Sequence, residues 1–330
     1  MFEPIGTAWN TCVPTLENRY YQGMRFSLLF VDIDGTLVGH EGIPSPRTVS
    51  ALRAAKAAGC AVMVCTGRHR YMVEPIEALW AEAAELSPRL ELSGAYGAYS
   101  NGSVLVDLSN GRTLHKMGLT AAVVRRAAEI AHSQQLAPLL SGIHVHTDGG
   151  FTTYTDRTFD VHLPYKRRNE HRLRFVDSIY SAAELSAGVT ADQPSIRLDR
   201  DDTVTDIGVY GLQDAVYATA ELWRERLGKT VVVYETFDQQ YDSHCAFLNN
   251  SVADKVLAAK IVADLLGVPR ERTLAIGDHL NDVELLKWAG MGVCMGDGHE
   301  TARACADHIT GTLADDGAAQ AIERFVLGWK

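Results

Sequence analysis

The sequence predicts an α/β fold: a Rossmann-like doubly wound parallel-sheet core, discontinuous along the chain, with an α+β domain inserted in it. Three observations point there. Two continuous apolar runs, FSLLFV at 26–31 and AVMVC at 61–65, are each followed by a helix-like segment. Strands buried on both faces of a parallel sheet read that way. The same alternation returns from about residue 245 to the end, while the stretch from about 102 to 242 mixes short strand-like pieces with helical windows. At 330 residues the chain also exceeds what one hydrophobic core usually serves.

Each element has a local reason. Pro46 near a first turn and Gly59 just past the end bracket a helix over about 46–58, and a second helical stretch covers about 70–86. In the middle, helical windows near 120–135 and 213–227 lie among VLVDL, SIRLD, DIGVY and TVVVY. Beyond 245 the pattern predicts a helix at 252–266, a strand TLAIG at 273–277, a helix near 281–289, a strand MGVCM at 291–295, and helices near 300–306 and 315–327. The division expected is an N-terminal extension over 1–23, core over 24–101, inserted domain over 102–242, and core again over 243–330. Met24 stands where a second natural start would.

Composition narrows the function. A formal net charge of −10 disfavours a nucleic-acid partner at long range. The apolar runs are strand-sized, so no membrane span is expected, and MFEPIGTAWNTCVP does not read as a signal peptide. Six scattered cysteines without a C-x-x-C pair fit a reduced, cytoplasmic protein.

The chemistry gathers at strand ends, where open parallel sheets place their ligands. Three candidate strands end in polar clusters: Asp32-Ile33-Asp34-Gly35-Thr36, Thr66-Gly67-Arg68, and Gly277-Asp278-His279-Leu280-Asn281-Asp282. Asp32, Asp34, Asp278 and Asp282 would then share one mouth. Like charges so gathered need a cation, and an all-oxygen, carboxylate-rich site suits Mg²⁺. The D-x-D spacing sends two carboxylates to one side, one to attack phosphorus and one to reach the leaving oxygen.

These motifs carry a resemblance. FVDIDGTL resembles the first motif of the haloacid dehalogenase superfamily of phosphatases; Thr66 in CTGR resembles the second; Lys255 in ADKVLAAKIVADLLGV resembles the third; GDHLND, with GVCMGDG after it, resembles the fourth. The spacing resembles the Cof-like branch, whose α/β cap is inserted after the second motif: 34 residues separate Asp32 from Thr66, and 189 separate Thr66 from Lys255. NGSVLVDLSNGR at 101–112 resembles the start of that cap. The resemblance implies a Mg²⁺-dependent phosphatase acting on a small phosphomonoester, with sugar phosphates the default and phosphorylated cofactors such as pyridoxal phosphate next.

By the same resemblance, Asp32 is the nucleophile that becomes an aspartyl phosphate, and Asp34 is the general acid and base. Thr66, Gly67, Lys255 and Asn281 contact phosphate. The metal takes the Asp32 carboxylate, the Asp34 main-chain carbonyl and the Asp278 carboxylate, while Asp282 holds a metal-bound water or Lys255. Two other readings stand beside it: a phosphomutase or phosphotransferase using the same intermediate, and a non-catalytic sensor of a phosphorylated ligand. Asp34 argues against the sensor, which has no use for a general acid.

Two departures from the family pattern are Val256, where glycine usually follows the lysine, and Asp297, where asparagine is usual. Asp297 puts a substrate contact near its turn in doubt. Three further features are assigned no catalytic part. His144 and His146 would share a face of an extended segment, the basic run 165–174 reads as a solvated face or a segment closing over an anion, and Gly94–Gly97 reads as a hinge or loop. The sequence leaves the oligomeric state open.

Overall fold

A computed structural model of the protein describes residues 26–39, 42–70, 73, 96–143, 151–156, 165, 167, 173–176, 203–238 and 241–329. The extension, the 70–86 helix beyond Arg70 and Val73, the segment SIRLD, and His144 and His146 lie outside the described residues.

Among the described residues the core sheet has eight strands and the inserted sheet six. β1 (Leu28–Val31), β2 (Ala61–Cys65), β3 (Tyr96–Tyr99), β4 (Val104–Asp107) and β5 (Arg112–Lys116) come from the first part of the chain. A six-stranded sheet follows: β6 (Leu139–Ile143), β7 (Phe151–Asp156), β8 (Leu173–Val176), β9 (Thr203–Gly211), β10 (Val231–Asp238) and β11 (Ser243–Asn250). The chain then returns to the core with β12 (Thr273–Gly277), β13 (Met291–Cys294) and β14 (His308–Ile309). The core order is β14-β13-β12-β1-β2-β3-β4-β5, and the cap order is β10-β11-β9-β6-β7-β8.

β1 sits between β12 and β2, parallel to both. Its four residues are all buried, because apolar layers cover both faces. Leu29 and Val31 join the layer of α1 (Pro46–Ala57), while Leu28 and Phe30 pack with a second layer that includes Val262. Ser45 caps α1 by accepting from Thr48 N at 3.1 Å, with Pro46 following. On the cap, α2 (Ala121–Ser133) and α3 (Gln213–Leu227) cover one face of the sheet, joined by Trp223 Nε1 donating to the Ala127 carbonyl at 3.0 Å. The other face looks onto the strand ends of the core.

Both borders of the inserted domain differ from those expected. Residues 104–116 belong to the core sheet, because β4 pairs antiparallel with β3 and β5 with β4. Residues 243–250 belong to the cap sheet, where β11 pairs with β10 and β9. The first border misleads because an antiparallel hairpin on the edge of a parallel sheet has the short-strand pattern of an α+β domain. The second misleads because β11 is a cap strand that runs directly into the core helix α4 (Lys255–Leu266). α5 (Val283–Trp288), α6 (Glu300–Cys305) and α7 (Gly317–Ala321) complete the core, with the last continuing into a wider turn at Ile322–Val326. Among the described residues no helix is long and apolar enough to cross a membrane.

Candidate active site

β1 delivers Asp32 to the mouth between β2 and β12, its main-chain N–H bonded to the Ile276 carbonyl at 3.0 Å. Lys255 is the first residue of α4, placed by Asp254, whose side chain accepts from Leu257 N at 2.7 Å. From there the ammonium donates to Asp32 Oδ1 and Asp282 Oδ1, both at 2.6 Å. Lys255 is only 1% exposed. Burial works against its charge, but Asp282 and then Asp32 outweigh that and push its pKa up. On its second carboxylate partner, Asp282, Oδ1 takes the ammonium and Oδ2 accepts from the main-chain N–H groups of Asp278 and His279 at 3.1 and 3.0 Å.

Asp278 is set differently. Thr36 donates its hydroxyl to Asp278 Oδ1 at 3.0 Å. Gly35, at φ 76°, makes room for the same carboxylate, because a Cβ there would run into Asp278 Oδ2. Gly35→Ala is therefore expected to destabilise the protein by about 1–2 kcal/mol through the left-handed backbone and the displaced carboxylate. Thermal melting of the variant checks this, and an unchanged Tm would refute it.

The carboxylates crowd one another. Burial pushes the Asp32 carboxyl up, Lys255 opposes it, and Asp282, Asp278 and Asp34 add to the rise. Asp278 is pushed up to about 7, first by burial and then by Asp282. Asp32, Asp278 and Asp282 offer oxygen atoms that all lie within 4.8 Å of one another. Lys255 supplies one positive charge against these three, so the donor set fits a hard divalent cation.

Asp34 points to the more open side, where the Arg68 guanidinium grips both its oxygens at 2.7 and 2.5 Å. The sequence assigned Arg68 no part, although it closes the CTGR motif. Thr66 is fully buried at the end of β2, and its hydroxyl oxygen accepts from Arg68 N at 3.0 Å, a bond that leaves its hydrogen unused. Gly67 lines the same cavity. Asn281 Nδ2 donates to Asn101 Oδ1 at 2.9 Å; Asn101 Nδ2 donates to Asn249 Oδ1 at 3.3 Å; Asn249 Nδ2 reaches the carbonyls of Ser100 and Thr205. A chain of amides thus runs from core to cap. Gly102, at φ 94°, keeps that junction close, since a Cβ there would meet the Asp254 carbonyl. Beside it His69 Nδ1 lies 3.0 Å from Ser100 Oγ and 3.3 Å from Asp206 Oδ2.

Core and cap enclose a cavity of about 730 Å³ lined by Asp32, Asp34, Asp278 and Asn281 below and by Tyr210, Phe247 and Asn249 above. Asp297 also borders it, but both its oxygens accept from Leu313 N at 3.2 Å, so its carboxylate tethers that loop. Of the basic run, Tyr165 is buried at the cavity wall, while Arg167 and Arg174 are exposed; residues 166 and 168–172 lie outside the described residues.

Residues 29–322 match the family of haloacid dehalogenase-like hydrolases. The chain belongs to that family. The hydrolase is 24% identical over 300 residues to the 5-amino-6-(5-phospho-D-ribitylamino)uracil phosphatase YitU of Bacillus subtilis, covering 90% of this chain and 97% of that protein. It is 27% identical over 312 residues to phosphatase YwpJ of the same bacterium, covering 91% and 99%. It also shares the fold of a solved subclass IIB sugar phosphatase of the superfamily, with a TM-score of 0.66, 18% identity, and coverage of 91% of this chain and 98% of that one. The enzyme class expected from the motifs, a phosphatase of this superfamily with a Cof-like arrangement, is borne out.

Proposed function

We propose that this hydrolase cleaves a small phosphomonoester through an aspartyl phosphate on Asp32, with Asp34 as general acid and base. The observation that carries the reading is the buried Lys255, which holds Asp32 and Asp282 together at 2.6 Å each beside Asp278. Lys255 fixes the attacking carboxylate and favours its ionised form. In this reading Thr66 and Asn281 meet phosphoryl oxygens, and Gly67 lets the group approach the main chain. Asp34 protonates the leaving oxygen once Arg68 lets go of it, then takes the proton of the water that hydrolyses the intermediate. Asp32, Asp278 and the main-chain carbonyl of Asp34 would hold Mg²⁺, while Asp282 positions Lys255 and the loop at 278–279. When bound, the ion neutralises carboxylates and the charge on the transferring phosphoryl group. A sugar or sugar-alcohol phosphate is supported by the aromatic cavity and by the phosphate named for the YitU relative.

The test is phosphate release from an aryl phosphate and a panel of phosphometabolites with Mg²⁺ and no added acceptor. Release supports hydrolysis rather than transfer; none across the panel would remove the reading.

The crowded carboxylates also set a pH dependence. Asp278 titrates at about 7 in the fold against an ordinary value of 3.8. The folded chain therefore keeps a proton that the unfolded chain has released between those values. Metal-free stability falls as pH rises through about 4 to 7, by up to about 4 kcal/mol for a shift of that size. Bound Mg²⁺ should cancel this, so millimolar Mg²⁺ is expected to raise Tm more at pH 7.5 than at pH 5. Melting curves at both pH values check it, and an equal or absent shift counts against the metal site.

A further inference from the structure

A row of amides joins the cap to the loop after β2, and its order is fixed by what each partner can do. Asn249, on the cap strand β11 and 1% exposed, turns Nδ2 to the main-chain carbonyls of Ser100 at 3.3 Å and Thr205 at 3.2 Å. Carbonyls only accept, so the amide nitrogen has to face them and Oδ1 is left to face the core. There Oδ1 takes Asn101 Nδ2 at 3.3 Å. Asn101 Oδ1 is then turned toward Asn281 and calls for a donor, which is Asn281 Nδ2 at 2.9 Å. Two main-chain carbonyls thus decide which end of the Asn281 amide points where.

The backbone keeps Asn101 in that line. Ser100, Asn101 and Gly102 have φ of 49°, 56° and 94°, a run of left-handed residues that is uncommon and costly outside glycine. Ser100 N–H bonds to the Arg68 carbonyl at 2.9 Å and Asn101 N–H to the Thr66 carbonyl at 3.0 Å, so the turn is stitched onto the loop that follows β2. A Cβ on Gly67 would stand 3.1 Å from Asn101 Oδ1 and 3.6 Å from Asn281 Nδ2. The amide nitrogen of Asn281 therefore lies against the Thr66–Gly67 loop, and Asn101 takes one of its two N–H groups. The opposite orientation would set two amide oxygens against each other at Asn101 and place an acceptor where the donor now is.

We infer that Asn101 and Asn249 are positioning residues: seating of the cap fixes the Asn281 amide with its nitrogen beside the Thr66–Gly67 loop, where the second N–H meets a phosphoryl oxygen. Each acts through Asn281 and not on the substrate. This rests on the phosphatase reading and is independent of which leaving group the cavity takes.

A double-mutant cycle on the full chain with Mg²⁺ tests it, read as phosphate release from p-nitrophenyl phosphate. Asn281→Ala should lower kcat/KM by about tenfold or more, and Asn249→Ala by about three- to tenfold. With Asn281→Ala already present, Asn249→Ala should change kcat/KM by less than about twofold, because the amide it orients is gone. A cap merely loosened by Asn249→Ala would lose the same factor in both backgrounds, so multiplied losses overturn the inference. An Asn249→Ala protein as active as its parent overturns it as well. Asn101→Gly is the second variant, since glycine keeps the left-handed turn and removes the amide. It should repeat both results whether or not the Asn249 variant folds, and multiplied losses there overturn the inference equally. If the unmodified protein releases no phosphate at all, the phosphatase reading fails and takes this inference with it.

Discussion

Asp32→Asn is expected to lower kcat by about 10⁴-fold or more, with the fold kept. The amide has the volume of the carboxylate and no nucleophilic oxygen anion. Its position is over-determined by the main-chain bond to Ile276 and by Lys255. The stability side of the substitution has the opposite sign to most buried changes. Burial and three neighbouring carboxylates oppose the charge of Asp32, so removing that charge relieves repulsion as well as losing an ion pair. The expected Tm is within a few degrees of the parent, and mass spectrometry of quenched reactions should show no phosphorylated variant. Residual turnover above about one per cent would take the nucleophile's part away from Asp32.

Lys255→Met should have the largest effect on stability. The ammonium is enclosed and sits on two carboxylates at once. Methionine fills much of the volume but leaves Asp32 and Asp282 without their counter-charge. Breaking a buried pair in this way typically costs about 3–5 kcal/mol, or roughly 10 °C in Tm for a chain of this size. The loss should shrink at low pH, because in the variant both carboxyls can take up protons and shed the uncompensated charge. Melts at pH 5 and pH 8 read this directly. A variant that melts alongside the parent at pH 8 would mean that the lysine does not neutralise the pair. Turnover should fall as well, since nothing else in the described site keeps Asp32 ionised.

Much of the candidate site was legible in the sequence because it sits at the ends of buried strands. Asp32 follows an all-apolar strand, and Asp278 follows TLAIG, so each is placed by local pattern alone. Lys255 was legible by its place in the motif order and not by its surroundings, since a lysine on a helix ordinarily faces water. Thr36 and Arg68 were within reach, one inside DIDGT and the other inside CTGR, yet their partners are 242 and 34 residues away. Asp206 and Asn249 were not legible. Each is an ordinary polar residue in a strand, and its meaning depends on which neighbour the register places opposite. The borders of the cap were misread for a related reason: strand pairing decides sheet membership, and pairing partners are not written in either strand.

The division of labour between the two sheets bears on how such an enzyme can be rewritten. Among the described residues the chain crosses from core to cap around 117–120 and returns around 251–254. Every residue proposed to do chemistry lies in the core. On β9 and β11 residues 206, 210, 245, 247 and 249 line the cavity and alternate with positions that hold the cap together from behind. These side chains also pack among themselves: Tyr210 and Cys245 are buried with Tyr165 and Tyr241, and Asn249 ties the cap to Asn101, so a new preference written here must keep those contacts.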